Sequence, residues 1–150
     1  IGHNQYRLEL IRENGVVIDA GANMGVFSVV AAAHYPHATI YAFEPNQATF
    51  EVLKENTKYY SNIKIFNCGL GEKEKTVPLI LTGHSASCYI TENYVGEGSV
   101  PVKVKTVDSF NLPVSFMKID TEGYEANILK GGQKQLKNIN RLLLCPPIIN

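Results

Sequence analysis

The feature that most constrains this chain is a short β-branched run, Val16-Val17-Ile18, that stops in Asp19-Ala20-Gly21-Ala22-Asn23-Met24-Gly25. Such a run suits a strand buried on both faces of a parallel sheet. Residues 26–34 are small and apolar and are expected to form a helix packed close on that sheet. Strand, glycine turn and helix open a βαβ unit, and open parallel sheets bind ligands at the carboxyl ends of their strands. Gly21 and Gly25 let the backbone approach a ligand, while the next helix offers unpaired N–H donors. Asp19 disfavours a phosphate and suits a cationic ligand or hydroxyls.

The rest of the chain repeats this punctuation. Residues 39–43 form a second apolar strand ended by Glu44-Pro45-Asn46, and residues 48–59 set Phe50, Val52 and Leu53 among charges as a surface helix does. Further strands are expected at 63–67, 77–81 and 100–107, the last alternating valine with lysine or proline. Residues 116–119 read as a buried strand ending in Asp120-Thr121-Glu122-Gly123, followed by a helix at 124–129, Gly131-Gly132 and a last strand at 142–144. Residues 5–14 are expected to be helical and closed by Gly15. The stretch 82–99 is rich in Gly, Ser and Thr and reads as a mobile loop near a functional edge. Its His84, Ser85 and Ser87 are either active-site loop residues or simply solvated. The alternation predicts an α/β fold, a mostly parallel twisted sheet with helices on both faces.

A chain of 150 residues, 45% hydrophobic, is enough for one domain, with its core over residues 16–144. Its 14 basic and 14 acidic residues cancel, so no global field draws it to nucleic acid or an anionic membrane surface. Cys68, Cys88 and Cys145 are odd in number and widely spaced, matching neither a disulfide framework nor a zinc pattern. A reducing cytoplasm is the expected setting. No apolar run reaches the roughly 20 residues of a membrane helix.

Acidic residues gather at the strand ends. Glu44 lies about where dinucleotide folds place the carboxylate that accepts ribose hydroxyls, although a solvated strand-end acid has the same sequence. Asp120 and Glu122 end another parallel strand and face the same edge, or else open the next helix, where its dipole favours carboxylates. Lys118 shares a face with Asp120 and is expected to pair with it. No Gly-x-Ser-x-Gly elbow or Cys–His pairing is present, which counts against hydrolases. A nicotinamide oxidoreductase is disfavoured because the turn lacks the Gly-x-Gly-x-x-Gly spacing. A non-catalytic binding module remains as an alternative.

The segments VIDAGANMGVFS, YAFEPN, Cys68-Gly69-Leu70-Gly71, VKTVDSF and MKIDTEGYEANILKGG together resemble the FkbM family of S-adenosylmethionine-dependent methyltransferases. The resemblance implies a Rossmann-like class I methyltransferase fold. Asp19, Gly21, Asn23 and Gly25 would line the methionine and ribose part of S-adenosyl-L-methionine, and Glu44, with Pro45 and Asn46, would hold the ribose diol. Residues 67–70, among them Gly69 and Leu70, would border the adenine. Asp120 and Glu122 would stand near the transferable methyl as catalytic residues, Asp120 also touching the cofactor. The implied reaction is O-methylation of a hydroxyl on a sugar, glycolipid or secondary metabolite, so the partner is a small-molecule or glycan acceptor. The family pattern continues beyond the last strand, whereas Leu144 leads into Cys145-Pro146-Pro147-Ile148-Ile149-Asn150. The C-terminal strands are therefore expected to be truncated, leaving a sheet edge that invites a homo-oligomer.

Overall fold

The computed structural model describes residues 6–82, 88–93, 96–139 and 141–145. In chain order the strands are β1 (Val16–Ala20), β2 (Thr39–Phe43), β3 (Ile63–Phe66), β4 (Gly69–Leu70), β5 (Lys75–Leu81), β6 (Cys88–Ile90), β7 (Ser99–Lys105), β8 (Phe116–Ile119) and β9 (Arg141–Leu144). The α-helices are α1 (Val26–His34), α2 (Gln47–Thr57), α3 (Glu125–Lys130) and α4 (Gln133–Leu136).

Five strands form a wholly parallel sheet in the order β3-β2-β1-β8-β9. Side chains alternate across it. Val17, Ile40 and Phe116 face α1 and pack on Phe27, Ala31 and Ala32, while Ala42 meets Leu53 of α2. Ile18, Phe43, Met117 and Ile119 point to the opposite face, against Val107, Tyr124 and Ile128. Burying both faces in this way requires the near-continuous apolar runs that the strands carry. The register pairs Ala20 with Phe43 and with Ile119, so the next residues, Gly21, Glu44 and Asp120, emerge level at one edge.

The remaining strands form a second sheet, β4-β7-β5-β6, in which β5 runs antiparallel to both neighbours and β4 parallel to β7. The strands expected at 77–81 and 100–107 thus belong to this smaller layer rather than to the parallel sheet. β7 ends at Lys105, and Val107 begins a 3-10 turn, Val107–Phe110, capped by the Thr106 side chain. Part of the stretch expected as a loop is strand β6, because Cys88–Ile90 pairs with Leu79–Leu81. His84, Ser85 and Ser87 lie outside the described residues.

The helix expected at 5–14 is instead one 3-10 turn, Leu8–Leu10, after Arg7 in the left-handed region (φ 47). Leu8 and Ile11 are both buried against the α1 layer. One turn suffices for that, and short helices gain little from propensity alone. Among the described residues no helix is long and apolar enough to cross a membrane.

Candidate functional site

The turn after β1 is shaped by its contacts with the neighbouring strand ends. The amides of Gly21 and Ala22 both donate to the Phe43 carbonyl, at 3.1 and 2.9 Å. Gly21 has φ +76, and a Cβ there would sit 2.0 Å from the Asp120 carbonyl oxygen. Only glycine lets β1 leave the sheet beside β8. Gly25, at φ +88, is left-handed as well and also packs closely. A Cβ there would meet Leu53 Cδ1 at 2.6 Å, so its place is set by the seating of α2.

Glu44 is 7% exposed, and its carboxylate is held at both oxygens. Oε1 accepts from the Asn46 amide and Oε2 from the Asn23 amide, each at 2.9 Å. Burial raises its pKa above the ordinary carboxylate value, and the two amides pull against that rise without cancelling it. The Asn67 side chain donates to the Glu44 carbonyl at 3.0 Å and fixes the strand end from the β3 side.

Asp19 has no exposed surface. Lys118 Nζ lies 3.0 Å from its Oδ1, and the Ser28 hydroxyl donates to its Oδ2 at 2.7 Å. The pair expected between Lys118 and Asp120 is the longer contact, at 3.7 Å, so Lys118 belongs first to Asp19. Burial pulls the Lys118 pKa down, but the Asp19 charge and hydrogen bond outweigh it and leave it raised. The ammonium is retained. The Asp19 carboxylate, expected among the ligand contacts, is turned to Lys118 and Ser28 and braces the turn from behind.

Beyond β8, Asp120 remains 43% exposed at its side chain, and Glu122 adopts φ 53. A non-glycine residue in that region is strained, and such strain is frequent at functional loops. Glu125 organises the loop by accepting from the Thr121 and Gly123 amides at 3.3 and 3.0 Å. Tyr124 anchors it, donating its hydroxyl to Glu92 at 2.9 Å. Burial, then that bond, pushes the Tyr124 phenol up to about 12.

Gly21, Asn23, Glu44, Pro45, Gly69, Leu70, Asp120 and Glu122 line one open cleft between the parallel sheet's edge and the second sheet. Asp19, Gly25 and Asn46 do not line it; Asn46 instead caps α2, accepting from the Ala48 amide at 3.0 Å. Thr49, Leu79, Cys88, Ile90 and Thr121 also line it and were not anticipated. The alternation of apolar residues in β5 was the available signal for Leu79. Nothing local marked Cys88 or Ile90, whose place depends on pairing with β5. The cleft thus has a carboxylate rim and an apolar wall, chemistry that suits a cationic ligand with ribose-like hydroxyls and a flat apolar ring.

The family model described as "Methyltransferase FkbM domain" matches residues 19–146. The chain is 27% identical over 150 residues to Methyltransferase 1 of Beauveria bassiana, covering 79% of this chain and 59% of that protein. It is 29% identical over 143 residues to the hexuronic acid methyltransferase AglP of Haloferax volcanii, covering 91% and 58%. The chain therefore spans about three fifths of the length of these curated relatives. Among solved structures, precorrin-6y C5,15-methyltransferase of Geobacter metallireducens superposes with a TM-score of 0.53 at 17% identity, over 91% of this chain and 55% of the other. That likeness shows the fold, a Rossmann-like sheet of the class I type.

Proposed function

Because this chain belongs to the FkbM methyltransferase domain family, we propose that it transfers a methyl group from S-adenosylmethionine to a hydroxyl oxygen of a sugar, glycolipid or secondary metabolite. The observation that carries this reading is Glu44, a buried carboxylate presented on a cleft at the end of the strand next to the glycine turn. Two amides hold it so that its remaining lone pairs can accept from a ribose diol. Gly21 lets the ligand lie against backbone, and Leu79, Cys88 and Ile90 offer an apolar wall to a flat base. When bound, S-adenosylmethionine supplies an electrophilic methyl on a sulfonium, and the carbon–sulfur electron pair stays on sulfur as S-adenosylhomocysteine.

Asp120 orients the acceptor hydroxyl and takes its proton as the oxygen bonds to carbon, and Glu122 adds a second carboxylate beside it. Most of the rate comes from holding donor and acceptor in line. The buried Asp19–Lys118 pair sets the β1 and β8 ends at fixed height and so positions Asp120. A relative named for a hexuronic acid supports a sugar acceptor. The test combines two variants. Glu44→Ala is expected to weaken S-adenosylhomocysteine binding by about 1–3 kcal/mol in calorimetry. Asp120→Asn is expected to bind the same ligand normally and lose turnover by about 100-fold or more. Full turnover in Asp120→Asn removes the proton-transfer role, and unchanged affinity in Glu44→Ala removes the ribose contact.

A further inference from the structure

The two acids that follow β8 reach the cleft by different means. Asp120 is placed by the sheet: its amide donates to the Ala20 carbonyl at 3.0 Å, and its carboxylate stands 3.7 Å from the Lys118 ammonium. Glu122 lies beyond the ladder. It has φ 53 and is followed by Gly123 at φ 103, so a residue with a side chain occupies the first of two consecutive left-handed positions. The Glu125 carboxylate closes this turn. Its Oε1 accepts from the Thr121 amide at 3.3 Å, the Thr121 hydroxyl at 3.2 Å and the Gly123 amide at 3.0 Å, so the amides on either side of Glu122 converge on one oxygen. Among the described residues no main-chain carbonyl accepts from either amide. Burial raises the Glu125 pKa, but the amides of Gly123, of Glu125 itself and of Thr121 outweigh it and leave it lowered. The acceptor is therefore an ionised carboxylate, whose hydrogen bonds are of the stronger kind. Thr121 and Glu122 line the cleft, and Glu125 does not.

We infer that Glu125 is a positioning residue for methyl transfer: by holding the Thr121 and Gly123 amides it keeps the left-handed turn closed and the Glu122 carboxylate on the cleft, while Asp120 is placed independently by the sheet. This rests on the methyl-transfer reading of the cleft. Under that reading Glu122 stands near the sulfonium, where a negative charge favours the cationic donor over its neutral product. Glu125 acts through the place it gives Glu122 and not through its own charge, which is already engaged behind the loop.

S-adenosylmethionine and S-adenosylhomocysteine differ only by the methyl group and its positive charge, so the ratio of their Kd values in calorimetry reads the carboxylates near the sulfonium. Glu122→Gln is expected to shift this ratio against S-adenosylmethionine by about fivefold, and Glu125→Ala by a similar factor with S-adenosylhomocysteine affinity kept within about twofold. Glu125→Gln keeps an oxygen acceptor without the charge and is expected to stay within about twofold of the wild-type ratio. Glu125→Ala added to Glu122→Gln should move the ratio no further than Glu122→Gln alone, whereas Asp120→Asn should add its own shift to that of Glu125→Ala. Alanine is a strong helix former at this first residue of α3, and a thermal melt verifies that each variant folds. Amide hydrogen exchange needs no variant: Thr121 and Gly123 are expected to exchange about tenfold more slowly than the Glu122 amide between them. An unchanged ratio in Glu125→Ala overturns the inference. So does an equal shift in Glu125→Gln, which makes Glu125 a direct charge on the donor, and so does full additivity of Glu125→Ala with Glu122→Gln. Exchange at Thr121 and Gly123 as fast as at Glu122 overturns it from the wild type alone. If Glu122→Gln leaves the ratio unchanged while both ligands bind, the methyl-transfer reading stands and this inference alone falls; if the wild type binds neither ligand, both fall.

Discussion

At the scale of single residues, Glu44 carries two opposed demands. Its pKa is raised by burial, which shifts the balance towards the neutral form relative to an exposed carboxylate. A carboxyl raised on folding contributes stability that is fully present below its unfolded value and is lost as pH rises through the folded value. Binding runs the other way, because ribose hydroxyls donate best to the ionised carboxylate. Affinity for S-adenosylhomocysteine is therefore expected to fall as pH is lowered, with the fall beginning above the range where an ordinary carboxylate titrates. Calorimetry across that range should show the fall in the wild type and a flat profile in Glu44→Ala; a flat wild-type profile sinks the assignment. Glu44 was legible in the sequence because a strand-end acid before proline follows directly from an apolar run. The state of Asp19 was not, since Ser28 and Lys118 reach it through the α1 packing and through a strand neighbour 99 positions away. Side-chain partners at such separation are fixed by register, which the local pattern does not encode.

At the scale of elements, the Asp19–Lys118 pair is the polar joint between β1 and β8 inside an otherwise apolar layer. Removing one member of a buried pair leaves the other charge uncompensated. Lys118→Met is therefore expected to lower unfolding free energy by about 3–5 kcal/mol in a urea titration, and adding Asp19→Asn in the same chain should recover most of it. A loss under about 1 kcal/mol in the single variant would show that water or rearrangement relieves Asp19. The strands that meet here were readable: residues 39–43 and 116–119 are the bounds of β2 and β8 because both are apolar runs stopped by acids and proline or glycine. The second sheet was not readable as a separate layer. β5 and β7 show ordinary strand patterns, and nothing in either says that they pair antiparallel with each other through Pro78 and Pro101. β6 has only three residues, too few for a period to be seen.

For the whole molecule, the consequence is that the cleft is a seam between two sheets. The parallel sheet supplies Gly21, Glu44 and Asp120, and the second sheet supplies Leu79, Cys88 and Ile90. A ligand held by the parallel sheet alone would quiet only the strand ends, whereas one that fills the seam must also hold β6, an edge strand of the smaller layer. S-adenosylhomocysteine at about 100 times its Kd adds about 2.7 kcal/mol of stability, worth roughly 5–10 °C in Tm for a chain of this size. Hydrogen exchange separates the two cases. Saturating ligand is expected to slow exchange at the Gly21–Asn23 turn and, in the same experiment, at Cys88–Ile90, while NAD at equal concentration slows neither. Protection of the turn with β6 unchanged would mean that the second sheet does not close on the ligand. Its apolar lining would then face solvent in the bound state, against the burial that gives a flat base its affinity.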